Sequence, residues 1–226
     1  MDTNYEIRNG NISDVGTLDL RFAKTPEDLR GIRSISDVGV ILVPERLSGA
    51  LAGIEISDIG SVVRIPDDGN VHCISGQTKV TGDALAAGDP EAVLIVVGQL
   101  MVTTVCESVG YKEIRVVGQL IATRGSEKAL MPKLTEVNGQ VLYIPADARL
   151  IMGSETIGRA FLELLPKPTP FVVMGELRVE GDVTVDLVRE KIPEIVLMGR
   201  LRVPQDLVPL FQVLTVDKFG EIVGEP

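Results

Sequence analysis

The stretch Val96-Val97-Gly98-Gln99-Leu100 decides the fold, because it returns unchanged as Val116-Val117-Gly118-Gln119-Leu120. Residues 173–179 return in similar form at 197–203, and a Ser-Asp-apolar-Gly stretch occurs at 13–16, 36–39 and 57–60. Self-similarity at a nearly constant offset is the sequence signature of a repeat architecture. The chain therefore consists of copies of one short unit.

A glycine occupies the same place in every copy and aligns eleven units. These glycines are Gly16, Gly39, Gly60, Gly76, Gly98, Gly118, Gly139, Gly153, Gly175, Gly199 and Gly220. The steps are 20 to 24 residues long, except for 16 before Gly76 and 14 before Gly153. The residues two after and four before the glycine are mostly apolar, and the exceptions are His72, Thr78, Thr135, Arg149 and Glu155. The units of Gly76 and Gly153 fit the pattern least well.

Each unit contains an apolar, β-branched strand around the glycine and a polar or helical return. The residue before the glycine is mostly apolar and the residue after it mostly polar, although both would face the same side of a flat strand. We therefore expect a bend at the glycine, which tolerates such geometry. One such unit cannot bury its own apolar face, so the units must stack on one another.

The sequence thus predicts an α/β repeat solenoid, a parallel β-sheet of stacked 20–24-residue coils with short helical or extended returns. We expect an N-terminal cap at 1–11, one solenoid domain of about eleven coils at 12–223, and a tail at 224–226. Helix-start signals lie at 25–29, 44–47 and 204–207, and longer helices are predicted at 154–165 and 184–192, each before a proline. The two short steps leave no room for a helix.

With this unit length and pattern, the chain resembles the leucine-rich repeat, in the form found in uncharacterised bacterial proteins. The resemblance covers about residues 12–223, lacks the asparagine ladder of that repeat, and often has Ile or Val in place of Leu. A straight parallel β-helix is the alternative architecture. The resemblance implies a scaffold that presents a surface to protein ligands, and it transfers no functional residue.

Composition excludes several classes of function. The chain of 226 residues has a net charge of −10 and no Trp, so nucleic acid and anionic membranes are poor partners. The longest apolar run, residues 92–97, is far shorter than a membrane span. The first residues lack the features of a secretory signal, and two cysteines make no disulfide framework. We expect a cytoplasmic protein with free thiols.

Catalytic and metal-binding motifs are scarce in this sequence. It contains one histidine, His72, beside Cys73, but adjacent strand residues face opposite sides and should not act together. Asp14, Asp37 and Asp58 repeat at one position, where carboxylates either cap their own turns or line up to bind a cation. We favour capping, and we predict no enzyme activity, no cofactor and no metal site.

The clearest surface feature is the polar position after the glycine. Gln77, Gln99, Gln119 and Gln140 form a row on four successive coils, flanked on the expected outward side by Lys79, Met101 and Ile121. The row is interpreted either as a hydrogen-bonded side-chain ladder or as the rim of a binding surface. Toward the C-terminus we expect the same face to carry charges, from Glu176, Arg178, Arg200 and Arg202.

These features predict a non-enzymatic protein-interaction scaffold that binds another protein through the exposed sheet face. The alternative is a self-assembling structural element, a homo-oligomer joined through its terminal coils, because the ends of a solenoid need protection from edge-to-edge stacking.

Overall fold

The structure, a computed structural model, describes residues 10–67 and 70–226, which form mostly parallel β-sheet with a few short helices. The chain divides into two compact units, residues 1–143 and 144–226. This arrangement is compatible with the α/β repeat fold that the sequence predicts. Most of the N-terminal cap expected at 1–11 lies outside the described residues.

The parallel strands form three stacks, which we name in chain order. The first stack contains β1 (Asn11–Ile12), β2 (Val15–Asp19), β3 (Ser34–Pro44) and β4 (Glu55–Ile65). The second stack contains β5 (Asn70–Val80), β6 (Ala92–Val102), β7 (Glu113–Thr123) and β8 (Leu134–Ile144), with helices α1 (Gly82–Ala86) and α2 (Glu127–Leu130) in its returns. Both stacks belong to the first unit, apart from the last residue of β8.

The third stack is the second unit, and each of its coils has one strand before the glycine and one after it. The strands before the glycine are β9 (Arg149–Ile151), β11 (Phe171–Val173), β13 (Ile195–Leu197) and β15 (Thr215–Lys218). The strands after the glycine are β10 (Ser154–Ile157), β12 (Glu176–Val179), β14 (Arg200–Pro204) and β16 (Glu221–Glu225). The returns contain helices α3 (Arg159–Glu163), α4 (Val185–Lys191) and α5 (Val208–Leu214).

The aligned glycines lie directly above one another within each stack. A Cβ on Gly39 would lie 2.6 Å from the carbonyl oxygen of Gly16, and a Cβ on Gly60 would lie 2.5 Å from that of Gly39. The same overlap recurs for the later glycines of the second and third stacks. Neighbouring coils therefore approach each other too closely at this position for any other residue, which explains why the glycine repeats.

Three of the aligned glycines have no neighbour within 4 Å of such a Cβ, and they are Gly16, Gly76 and Gly153. Each of them begins a stack. Two of them follow the short steps in the sequence, so the ladder of strands is interrupted where the repeat has lost the residues of its return. The single eleven-coil domain expected at 12–223 is replaced by two compact units and three stacks of three, four and four aligned glycines.

Residues that break the apolar pattern also lie in coils at the ends of stacks. His72 and Thr78 lie on β5, the first strand of the second stack, and Thr135 lies on β8, its last strand. Arg149 and Glu155 lie in the first coil of the third stack, where their side chains form an ion pair with a 3.2 Å N–O distance. A terminal coil exposes its inner side to solvent, so polar residues replace apolar ones there.

The second stack bends at its glycines, as predicted from the change in polarity around them. Gly98 and Gly118 have φ of +123° and +127°, values open to glycine but strained for other residues. On β6, Leu94, Val96 and Leu100 face the core of the second stack. The outward residues on either side of the glycine have different neighbours, because Val97 packs toward the first stack while Gln99 does not.

The first and second stacks pack against each other through apolar outer faces. Val40 and Leu42 of β3 and Val63 of β4 meet Val93 and Ile95 of β6 in this interface, and all five are at most 6% exposed. At one side, Asn138 donates a hydrogen bond of 3.1 Å to Ser61 Oγ, which joins β8 to β4. Much of the sheet surface in this unit is therefore buried rather than available to a partner.

Helical returns occur largely where the sequence predicts them. Thr184 caps α4, which confirms the helix expected at 184–192, and Pro26–Leu29 is a 3₁₀ helix with a capping box. The helix expected at 154–165 is wrong in its first part: residues Ser154–Ile157 form β10, because they pair in register with Glu176–Val179 of β12. The tail expected at 224–226 is wrong as well, since β16 extends to Glu225.

Within residues 10–67 and 70–226, no helix has the length and apolar composition that a membrane crossing requires.

Candidate functional site

The glutamine row forms a side-chain ladder along the second stack. Gln99 Nε2 donates a hydrogen bond of 2.8 Å to Gln119 Oε1, and Gln119 Nε2 donates one of 3.2 Å to Gln140 Oε1. Gln77 lies in register with Gln99 on the neighbouring strand. The parallel register places equivalent amides one strand apart, a spacing that suits such bonds. The ladder interpretation is confirmed for three of the four glutamines.

The residues expected to flank this row on the outward side are not all exposed. Met101 and Ile121 are only 1% exposed, so they add no accessible apolar surface beside the glutamines. Gln77 and Gln140, at the two ends of the row, are exposed, whereas Gln99 and Gln119 are partly buried. The polar rim predicted here is consequently narrower than the sequence suggests.

The four predicted charged residues lie together on the outward face of the third stack's strands after the glycine. We call this surface the charged face. Inward residues of the same strands, such as Leu177 and Leu201, are completely buried, so alternation along the strand directs the charges outward. Register aligns the charged face in two columns, which consist of Ser154, Glu176, Arg200 and Glu221, and of Thr156, Arg178, Arg202 and Val223.

Ion pairs between coils hold these side chains in place. Arg202 pairs with Glu176 at 2.8 Å and with Glu225 at 3.3 Å, and Arg178 pairs with Glu225 at 3.0 Å. Arg200 pairs with Glu221. The two carboxylates raise the pKa of Arg202, first through the hydrogen bond that Arg202 donates to Glu225 and then through the charge of Glu176. The charged face is an ordered network of both signs rather than a patch of one charge.

The structure does not bring the eight predicted interaction residues together in one sheet. The glutamine row belongs to the second stack in the first unit, and the charged face belongs to the third stack in the second unit. The expected single face that changes from glutamine to charge along the chain is therefore not formed. The interruption of the strand ladder after the second stack is the physical reason.

A shallow, open groove of mixed polarity, which the sequence pattern does not predict, lies beside the charged face. The residues before the third-stack glycines, among them Met152, Met198 and Phe219, line a groove of about 810 Å³. Met152 is 40% and Phe219 56% exposed. The sequence signal for this groove is the apolar residue that precedes each glycine, the same residue that predicts a bend. The lining of the groove also contains Glu176, Arg200 and Glu221.

The aspartate column occupies a strained backbone position. Asp14, Asp37 and Asp58 have φ of +59°, +52° and +53°, a left-handed conformation that aspartate tolerates better than most residues. Across the described part of the chain, no backbone amide donates to these carboxylates, so the predicted capping is not observed. No three His, Cys, Asp or Glu side chains in residues 10–67 and 70–226 are grouped as metal ligands would be.

His72 and Cys73 face different neighbours, as their adjacent strand positions predict. The His72 ring meets Tyr111 edge-on, with ring centroids 5.7 Å apart, while Cys73 packs into the interface between the first two stacks. Burial raises the pKa of both the Cys73 and the Cys106 thiol. Cys106 donates its Sγ–H to the Ser108 carbonyl oxygen at 2.9 Å. Raised pKa values keep both thiols protonated and poorly nucleophilic.

No protein-family model matches this chain, and comparison with curated proteins and with solved structures finds no match.

Proposed function

We propose that this protein is a non-enzymatic, cytoplasmic repeat solenoid, leucine-rich-repeat-like or β-helical, that binds another protein through exposed sheet residues. The charged face carries the proposal. It presents arginine and glutamate side chains from three parallel strands, β12, β14 and β16. Ion pairs between coils fix these side chains, and the inner residues of the same strands, such as Leu177 and Leu201, are fully buried. Side chains ordered before binding lose less conformational entropy when a partner docks.

Two further observations support an interaction role. The shallow groove that contains Met152, Met198 and Phe219 lies beside the charged face, so apolar and charged side chains are adjacent, as in the core and rim of protein interfaces. Methionine adapts its shape to different apolar partners. A protein partner with both charged and apolar side chains fits this surface better than a nucleic acid does, given the chain's net charge of −10.

Co-purification of the tagged full-length protein from its source cells tests this function. Wild type is compared with Arg178→Glu/Arg200→Glu on the charged face and with Gln77→Glu/Gln140→Glu on the glutamine row. Arg30→Glu is the matched control, because Arg30 is 77% exposed in the first stack's return. A protein captured by wild type and by Arg30→Glu, and lost with the charged-face variant, is the expected result.

The captured protein is then titrated against purified variants. We expect binding to weaken at least about tenfold when the charged face is reversed, since removing paired interface charges typically costs this much or more. Loss with the glutamine variant alone would move the binding surface to the second stack. Equal capture by all variants would contradict the proposal.

Self-assembly is the second candidate, and the last coil of the third stack favours it. Val213, Val216 and Phe219 are 80%, 54% and 56% exposed there. The strands of this coil, β15 and β16, each pair with one neighbour only. Unpaired edges beside exposed apolar residues are templates for association. Molar mass measured by light scattering should rise with concentration, and Val216→Lys/Phe219→Glu should abolish that rise.

A further inference from the structure

Three methionines occupy one position of the third stack, directly before the aligned glycines. They are Met152, Met174 and Met198, half of the six methionines in the chain, and we call them the methionine row. The Met174 N–H donates a hydrogen bond of 2.8 Å to the carbonyl oxygen of Ile151, one coil earlier. The Met198 N–H makes the equivalent bond, also of 2.8 Å, to Val173. Equivalent positions on neighbouring parallel strands lie about 4.8 Å apart, so the row runs along the stack.

The methionine row is accessible, whereas residues at the same position of the other stacks are covered. Val38 of the first stack is 1% exposed, and Val97 of the second packs into the interface between those two stacks. Met152 is 40% exposed, while Met174 and Met198 are half-buried. Of the residues that the structure describes, those in the hydrophobic core of the third stack include none of the three methionines. A small oxidant in solution therefore reaches the row.

A thioether that is open to solvent reacts with peroxides. The sulfur lone pair attacks one peroxide oxygen, the O–O bond breaks as the S–O bond forms, and the sulfur loses two electrons. With hydrogen peroxide, the proton on the transferred oxygen passes to the departing hydroxide, so water is the second product. Two thiols reduce the sulfoxide to the thioether and yield a disulfide and water, which makes the modification reversible.

Oxidation changes the polarity of the groove beside the charged face. It converts a flexible apolar side chain into a polar one that accepts hydrogen bonds. Met152 and Met198 line this groove together with Arg200, whose guanidinium pairs with Glu221 in the unmodified protein. A sulfoxide oxygen in the groove is a second acceptor for that guanidinium. Oxidation therefore removes apolar surface and competes with an ion pair of the charged face.

We propose that the methionine row is a site of reversible oxidation by peroxides, and that its oxidation releases a protein partner from the groove. The release rests on the proposed function, because it requires that a partner binds the charged face and the groove. The modification itself depends only on the accessibility and chemistry of the row. Separate measurements therefore test the two parts.

Peptide mapping by mass spectrometry, after graded treatment of the full-length protein with hydrogen peroxide, tests the modification. Met152 should oxidise within about threefold of the rate of Met131, which is 58% exposed, because access controls the rate. Each member of the row should oxidise at least about threefold faster than Met101, which is 1% exposed. A methionine sulfoxide reductase with a dithiol should restore the unmodified masses. Far-ultraviolet circular dichroism should not change, since the row lies outside the hydrophobic core.

Binding of the protein captured by untreated wild type tests the release. Peroxide should weaken this binding at least about tenfold, because burial of one methionine side chain contributes about that much or more. Met152→Leu/Met174→Leu/Met198→Leu keeps the apolar volume without the sulfur, so it should bind within about threefold of wild type and resist peroxide. Met131→Leu is the matched control, which removes an exposed methionine outside the row and should leave binding sensitive. If the triple variant does not fold, Met152→Leu alone should show partial resistance.

Three results would overturn the oxidation switch. One is a methionine row that stays reduced at peroxide doses that oxidise Met131. Another is binding that remains equally sensitive to peroxide in the folded triple variant, which would place the effect elsewhere. The third is loss of the folded circular dichroism signal on oxidation, since unfolding would then explain the release. If untreated wild type captures no protein, the proposed function fails and the release fails with it, while the mapping still decides whether the row is oxidised.

Discussion

At the scale of single residues, the carbonyl oxygen of one aligned glycine occupies the space that a Cβ would need if the aligned glycine of the next coil were replaced by another residue. Met174 shows the same crowding in the third stack, since its carbonyl oxygen would lie 2.7 Å from a Cβ on Gly199. Close packing leaves the backbone no room to yield without loss of strand hydrogen bonds. The preceding coil of the stack imposes the requirement for glycine, so the first coil of a stack does not need glycine at this position.

A pair of alanine substitutions tests this steric explanation. Gly199→Ala should lower the free energy of unfolding by about 1–3 kcal/mol, the usual cost of overpacking. Gly153→Ala, at the same place in the first coil with nothing within 4 Å, should change it by no more than about 0.5 kcal/mol. Urea denaturation of both variants measures the difference. Equal losses would mean that the glycines serve local conformation rather than coil contact.

The glutamine ladder makes a second prediction at this scale. Gln119→Glu removes the Nε2 donor and sets a carboxylate against Gln140 Oε1, so it should cost about 0.5–1.5 kcal/mol, the net value of a typical hydrogen bond. Gln77→Glu provides the control, because the described contacts give Gln77 no side-chain hydrogen bond. Thermal unfolding compares the two. A Gln77→Glu protein as destabilised as Gln119→Glu would argue against a stabilising ladder.

At the scale of elements, the returns of the first stack are fixed by capping rather than by long helices. Asp28 accepts hydrogen bonds from the backbone N–H of Lys24 and Thr25, at 2.8 and 3.0 Å. These bonds, with that from Thr25 foremost, lower the pKa of Asp28. The capping box holds a 3₁₀ turn of four residues, too short to be stable alone.

The lowered pKa of Asp28 predicts how stability depends on pH. A carboxyl whose pKa is lower in the folded state stabilises the fold above its unfolded pKa, and this contribution is lost as pH falls. Melting temperature should therefore begin to drop as pH falls below about 5, near the ordinary aspartate pKa, and should continue to drop until pH has passed the lowered pKa of Asp28. Asp28→Asn should melt lower than wild type at neutral pH, and the difference should shrink in acid. A constant difference across this pH range would contradict the prediction.

At the scale of the whole molecule, position within a stack controls how well a strand is protected. Strand β6 pairs on both sides and is largely buried, whereas β5, at the start of the same stack, pairs on one side and is largely exposed. Local opening costs least where few apolar contacts and few shared hydrogen bonds must be broken. Stability should therefore increase from the ends of each stack toward its middle.

Hydrogen exchange followed by mass spectrometry measures this gradient. Peptides from β6 should exchange at least about tenfold more slowly than peptides from β5, since end strands open with lower free energy. In the third stack, β12 and β14 should exchange more slowly than β10 for the same reason. Uniform exchange across the second stack would show that it opens as one cooperative unit.

The repeat, the strand at each glycine and most helical returns could be predicted because they depend on local pattern. Alternation, the glycine position and the Thr184 cap each lie within one unit of sequence. The glutamine ladder could also be predicted from the sequence, because a parallel register places equivalent residues side by side. The polar residues at inner positions and the two short steps coincide with the interruptions of the stacks, but sequence alone does not distinguish an interruption from a weak copy of the unit.

The sequence by itself determined that this protein is built from stacked parallel strands, because a short unit with one apolar face must bury that face against its own copies. Only the tertiary structure decided which copies stack together and which faces remain exposed. Burial of Met101 and Ile121, packing of the first stack on the second, and the end of the first stack at β4 depend on contacts between repeats distant in sequence. Because each copy of the unit carries nearly the same pattern, the sequence contains little information about which copy ends a stack.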